Sequence, residues 1–177
     1  MEAIATIDVT SACTDWSRVC AHTERLARDT ARLTLMRGMA APGLTPTVPV
    51  ELGIILADNA ELRRLNRDYR GKDMPTNVLA FPAWEPGRPI PPGMPILLGD
   101  VVLGFGIVAR EAADQDKPFA DHLRHLVVHG VLHLLGYDHL THTEAVIMES
   151  LETSILATLG VPDPYRCTMW SVEPEPT

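Results

Sequence analysis

Residues 129–139 read HGVLHLLGYDH, three histidines spaced H-x3-H-x5-H. The run leading into them, DHLRHLVVHGVLHLL from Asp121 to Leu135, puts Leu123, Val127, Val131 and Leu134 on one side of a helix. On that helix His129 and His133 stand one turn apart and project from the same face. Gly136 offers a stop, because a residue without Cβ enters the left-handed conformation at no steric cost. The chain can turn there and carry His139 back toward the other two. Two imidazoles from a helix and a third from just past its end suit one Zn2+ with a fourth position open, the ligand count of a catalytic site rather than a closed structural one. A metal helix of this kind suggests a zincin-like α+β single domain: a mixed four-stranded sheet packed with helices, the metal site on a central helix.

Metzincin proteases carry H-E-x-x-H-x-x-G-x-x-H, in which the Glu is the general base. The three His positions and the Gly coincide here, but the Glu position is Gly130. Peptide hydrolysis by that route has no base. His122, His125, His129 and His133 form one helical stripe, so a His125/His129 pair is geometrically open. Only His129/His133 has a third His at matching distance after a turn, so His122 and His125 read as polar positions at the substrate entrance or exposed. Asp138 either orients an imidazole or shapes the turn. Thr141 and Glu144 form a capping box for a last helix, Thr143 to Leu159, with Val146, Ile147, Leu151, Ile155 and Leu159 as its apolar side.

Upstream, Ala3 to Val9 alternates as a strand. A helix capped by Thr14 or Asp15 runs to about Arg37, with a stripe of Trp16, Val19, Leu26 and Leu33 and with Thr23 and Thr30 filling the same side. Residues 40–47 form a loop. Val48 to Ala57 is a second strand, and Ala60 to about Tyr69 a helix capped by Asp58 or Asn59. Its Arg63, Arg64 and Arg67 read as a solvated face, and Arg70 follows the helix where Gly71 turns the chain. Val78 to Phe81 and Leu97 to Leu103 are the third and fourth strands. Between them, six prolines in residues 82–95 exclude a helix and make either a functional flap or a stiff hairpin loop. Asp100, acidic within an apolar run, is expected to reach a polar partner or the site rim. Ile107 to Gln115 is a short helix. Residues 1–170 read as one domain and 171–177 as an acidic, Pro-rich, disordered tail.

The 177 residues, 46% of them hydrophobic, suffice for one core. No signal-peptide pattern opens the chain, and no apolar run approaches the ~20 residues that span a bilayer, so the expected setting is cytoplasmic, without a membrane. Three cysteines with no CxxC pair read as reduced thiols. A net charge of −8 argues against a generic nucleic-acid coat. Yet residues 61–72 hold five basic and two acidic side chains, a local +3 against −11 for the rest. A small cationic patch of this kind can hold a phosphate backbone locally, which makes Arg67, Arg70 and Lys72 candidate substrate contacts.

HGVLHLLGYDH, together with LNRDYRGKDMPTNVLAFP (Leu65 to Pro82) and LLGDVV (Leu97 to Val102), resembles the YbeY family of bacterial metal-dependent endoribonucleases, over roughly Glu51 to Tyr165. The resemblance implies a zincin-like fold and cleavage of single-stranded RNA. It also implies a role in 16S rRNA 3′-end maturation and ribosome quality control, on rRNA precursor and with the small ribosomal subunit and its assembly factors as partners. It implies a functional role for Arg70, whose guanidinium can grip phosphate oxygens and neutralise charge developing on them. Family members commonly have Ser where this chain has Ala80, a difference read as packing. The expected catalytic set is Arg70, His129, His133 and His139, with one Zn2+ per chain on the three histidines. Attack by water and attack by the ribose 2′-OH both stay open. Two other readings remain: a ribosome-assembly factor with a structural zinc, and a zinc metalloprotease-like hydrolase.

Overall fold

The computed structural model describes residues 5–39, 44 and 48–166. Along the chain run β1 (Ala5–Ser11), α1 (Asp15–Val19), α2 (Thr23–Gly38), β2 (Val50–Ala57), α3 (Asn59–Arg70), β3 (Val78–Pro82), β4 (Ile96–Gly104), α4 (Phe105–Asp114), α5 (Phe119–Leu134) and α6 (His142–Thr158). The strands form one mixed sheet in the order β1-β2-β4-β3. The first three are parallel and β3 is antiparallel to β4. β2 and β4 are near-continuous apolar runs because they lie in the middle of the sheet with both faces covered. β3 is an edge strand, so one side of its backbone is unpaired within the sheet.

α5 lies across one face of the sheet. Leu123, Val127, Val131 and Leu134, the side expected from their spacing, are fully buried. Gly130 lets the helix settle on β4: a Cβ there would stand 2.6 Å from Val101 Cγ1. On the opposite face α3 covers a smaller cluster of Ala57, Leu62, Leu79 and Val102. Asp58 caps α3 by accepting from Glu61 N, and Gly71, with φ +69°, ends it. Arg70 is thus the last residue of α3 rather than the first beyond it.

Four sequence expectations need correction. The helix from residue 14 to 37 is two helices, because Cys20 is extended at φ −141°, ψ 107°. Trp16 anchors the first of them: its indole donates to the Ala57 carbonyl at 3.0 Å and packs against Phe105 and Phe119. The stripe on α2 also shifts. Thr23 is buried as expected; Ala27, Ala31 and Leu35 are buried with Thr30, also expected, and Thr34, while Val19 on α1 is 53% exposed. Thr30 and Thr34 tolerate burial by donating to the carbonyls of Leu26 and Thr30, one turn back. On α6 the buried face is Met148, Glu152, Ile155 and Leu156, and Val146 and Ile147 are exposed, although the Thr141–Glu144 capping box is present as expected. Asp100 is exposed and cross-strand from Phe81. It alternates with Val101, which meets α5, so it points away from the α5 face and does not reach the site rim. Residues 3 and 4 of the first expected strand, most of loop 40–47, Cys167 and the tail 171–177 lie outside the described residues.

Candidate metal centre and cleft

The end of α5 and the turn after it bring three imidazoles together. His129 and His133 occupy one helix face, and Gly136 at φ +93° reverses the chain. Asp138 then shapes the turn, its carboxylate accepting from His139 N at 2.8 Å. One nitrogen from each of His129, His133 and His139 lies within 4.8 Å of the others, which could hold a metal ion. His129 Nε2 and His133 Nε2 are 3.1 Å apart. Two nitrogens bound to one tetrahedral zinc, at Zn–N of ~2.0–2.1 Å, sit about 3.3 Å apart. The donor set therefore fits Zn2+ in chemistry and in spacing. His139 is exposed and the other two are half-buried, so the site opens toward solvent.

The electrostatics favour neutral ligands. Burial, with the nearby His129 and His139, pushes the His133 imidazole down to about 4, so its lone pair is available at neutral pH. His129 Nδ1 lies 2.6 Å from Glu152 Oε1, a carboxylate that is 0% exposed. The Tyr165 hydroxyl donates to Glu152 Oε2, and His125 Nε2 is 3.7 Å from the same oxygen. Burial works to raise the Glu152 carboxyl. The nearby His125 imidazole, the hydrogen bond and charge of His129 and the Tyr165 hydroxyl outweigh it and hold the group at about 2. His125 therefore belongs to a buried network. So does His122, 4% exposed, whose Nε2 meets Glu111 Oε2 at 2.8 Å. Neither stands at a substrate entrance, contrary to expectation.

A cleft of about 650 Å3 runs from the imidazoles along β3. Arg70, Asn77, Ala80, Trp84 and Pro86 contribute to its walls together with the three histidines. Ala80 thus faces the cleft. The proline-rich segment supplies one wall, with Pro86 against the turn at Gly136. Asn77 is fixed from behind: its side-chain amide donates to Glu111, and its Oδ1 accepts from Val78 N at 2.6 Å. Of the cationic stretch, only Arg70 lines the cleft. Arg63 is paired with Asp73, Arg64 with Glu61 and Asp68, and Arg67 with Asp68. Lys72 is exposed outside the cleft lining, and among the described residues neither it nor Arg70 has a carboxylate partner. Gly130 bears on the chemistry as well. A Glu at this position, where metzincins keep their base, would have to displace Val101.

Glu152, Tyr165, Glu111 and Trp84 were missed in the sequence. For Glu152 a signal existed: an acid between Met148 and Leu156, at i+4 from each, on a helix with those two residues buried. Tyr165 and Glu111 carry no such mark, because their roles depend on tertiary contacts.

The family described as Endoribonuclease YbeY matches residues 18–160. Endoribonuclease YbeY of Paramagnetospirillum magneticum is 60% identical over 121 residues, 68% of this chain and 74% of the relative. The protein of the same name from Rhodospirillum rubrum is 57% identical over 124 residues, 70% of this chain and 62% of the relative. That of Chelativorans sp. is 45% identical over 162 residues, 90% of this chain and 93% of the relative. The solution structure of TM1509 from Thermotoga maritima superposes with a TM-score of 0.51 at 20% identity, over 95% of this chain and 100% of that one, a likeness of fold.

Proposed function

The chain belongs to the endoribonuclease YbeY family, and from that premise we propose that it is a zinc-dependent endoribonuclease specific for single-stranded RNA. It acts in the cytoplasm on rRNA precursor, in 16S rRNA 3′-end maturation and ribosome quality control, with the small ribosomal subunit and its assembly factors as partners. The observation that carries the reading is the meeting, in one open cleft, of three convergent imidazoles and the Arg70 guanidinium, which has no carboxylate partner among the described residues. His129, His133 and His139 hold the metal. A Zn2+ bound there supplies Lewis acidity, which brings the pKa of water toward ~7. Arg70 binds the phosphoryl oxygens and neutralises charge that develops on them. Arg67 and Lys72, at the end of α3 and just beyond it, hold flanking phosphates. The cleft's long side is an edge strand whose walls admit an extended strand of nucleic acid.

The test is cleavage of a single-stranded RNA carrying the 16S 3′ region, beside a duplex of equal length. His133→Ala abolishes metal binding and cleavage. Arg70→Ala stays folded and metal-bound and loses about 10²–10³ in kcat, the usual cost of removing one donor from a developing oxyanion. Equal cleavage by all three proteins overturns the reading, and 2′,3′-cyclic phosphate ends identify 2′-OH attack. The metalloprotease reading is disfavoured by Val101, which fills the space a base at position 130 would need.

A further inference from the structure

We infer that Glu152 is a positioning residue of the metal centre: its carboxylate decides which nitrogen of His129 carries the proton, and so which one faces the metal. The inference rests on the metal-site reading above. Glu152 comes from α6 and reaches across to α5, where it is fully buried. Its companions on the buried face of α6 are Met148, Ile155 and Leu156, so packing alone would be served by an apolar side chain. A carboxylate in such a place is destabilising unless it is fully hydrogen-bonded. Both oxygens are engaged: Oε1 with His129 Nδ1 at 2.6 Å, and Oε2 with the Tyr165 hydroxyl.

An ionised carboxylate only accepts. At 2.6 Å, His129 Nδ1 must therefore be the protonated nitrogen, since a bare Nδ1 would set two lone pairs against each other. With the Nδ1 proton held there, the neutral ring can offer only Nε2 to a metal, and Nε2 is the atom 3.1 Å from His133 Nε2. Ring orientation and tautomer are fixed together before any metal arrives. Tyr165 on the second oxygen holds the carboxylate against rotation. His125, one turn before His129, stands 3.7 Å from the same oxygen and 3.4 Å from the Tyr165 hydroxyl. It is part of this outer ring rather than a ligand. Metal-binding histidines commonly donate their second nitrogen in this way, and loss of the acceptor weakens metal binding about 10–100-fold.

Three variants separate the role from simple packing. Glu152→Gln keeps the shape and an acceptor but removes the charge. Glu152→Met keeps the length and removes the acceptor. Tyr165→Phe leaves the carboxylate and removes its second donor. In the metal-free wild type, long-range 15N–1H correlation spectra find His129 protonated at Nδ1, and Glu152→Met loses that preference. Zn2+ affinity, from competition with a chromophoric chelator, falls a few-fold in Tyr165→Phe, about tenfold in Glu152→Gln and about a hundredfold in Glu152→Met. Circular dichroism and melting of the metal-free proteins show which variants fold. If Glu152→Met does not, Glu152→Gln and Tyr165→Phe carry the comparison. Folded variants that bind Zn2+ within twofold of wild type overturn the inference, and so does a wild-type His129 protonated at Nε2. A wild type that binds no zinc but shows the Nδ1 proton instead overturns the metal-site reading, and with it the role toward the metal.

Discussion

Glu111 holds two side chains at once, Asn77 in the cleft wall and His122 in the core. Burial pushes the His122 imidazole below the ordinary histidine value, while the Glu111 contact pulls the other way and the nearby His125 and Lys117 add to the lowering. The sign of the pH effect follows. Below the unfolded value of ~6.5 the unfolded chain takes up a proton that folded His122 resists, so the stability is full above ~6.5 and drains away as pH falls through the lower folded value. His122→Gln removes this linkage. Urea unfolding of the metal-free proteins at pH 7, 6 and 5 is expected to show wild type losing stability faster than His122→Gln as the pH falls. Parallel slopes would mean that His122 carries its proton in the folded state. At the surface of α3 the opposite economy holds: Arg63 is more than half exposed and paired with Asp73 in water. Arg63→Ala is therefore expected to leave the midpoint of the same urea titration nearly unchanged and not to change RNA cleavage.

Between elements, Gly130 sets how closely α5 lies on β4, and the turn after α5 decides whether His139 meets the other two histidines. Gly130→Ala gains ~1 kcal/mol of helix propensity. It also drives a methyl group to 2.6 Å from Val101 Cγ1, and overpacking costs ~1–3 kcal/mol. The expected balance is a loss of about 1 kcal/mol in chemical denaturation. Gly136→Ala is worse at the site. It forces a side chain into φ +93° and sets its Cβ 2.5 Å from Pro86, so the turn shifts and His139 with it. A chelator competition is expected to show weakened Zn2+ binding there at a stability cost of ~1–3 kcal/mol, whereas Gly130→Ala keeps its metal affinity. These two glycines also mark where the sequence was readable. α5 was legible because its apolar residues repeat at helical spacing and a glycine follows. The break between α1 and α2 was not, because Cys20, Ala21 and His22 include no Gly or Pro, and Trp16 anchors α1 through residues distant in the sequence. On α2 and α6 the residues not placed on the buried face include Thr34 and Glu152, polar by type yet buried by virtue of the partners that the fold supplies.

For the molecule as a whole, the candidate metal centre and the core are distinct parts of the fold. The large cluster that joins α2, β2, β4, α5 and α6 contains Leu35, Ile54, Leu103, Val127 and Leu156, none of them dependent on an ion. The imidazoles sit at the rim of that cluster and face the cleft. A chain of this size with so much buried apolar surface is expected to fold without metal, which a zinc serving only as a structural clamp would not permit. Metal still adds stability, because it binds the folded state and meets no preformed site in the unfolded one. At free Zn2+ a thousandfold above its Kd the gain is ~4 kcal/mol, and for a chain of this length that raises Tm by roughly 8–16 °C. Calorimetry of the chelator-treated and zinc-loaded proteins tests both halves. Two cooperative transitions separated by that interval place the metal in the cleft as a functional ion on a self-sufficient fold. A chelated protein with no transition would instead make the three histidines a fold-holding clamp, and the assembly-factor reading would then account for the chain better than the nuclease one.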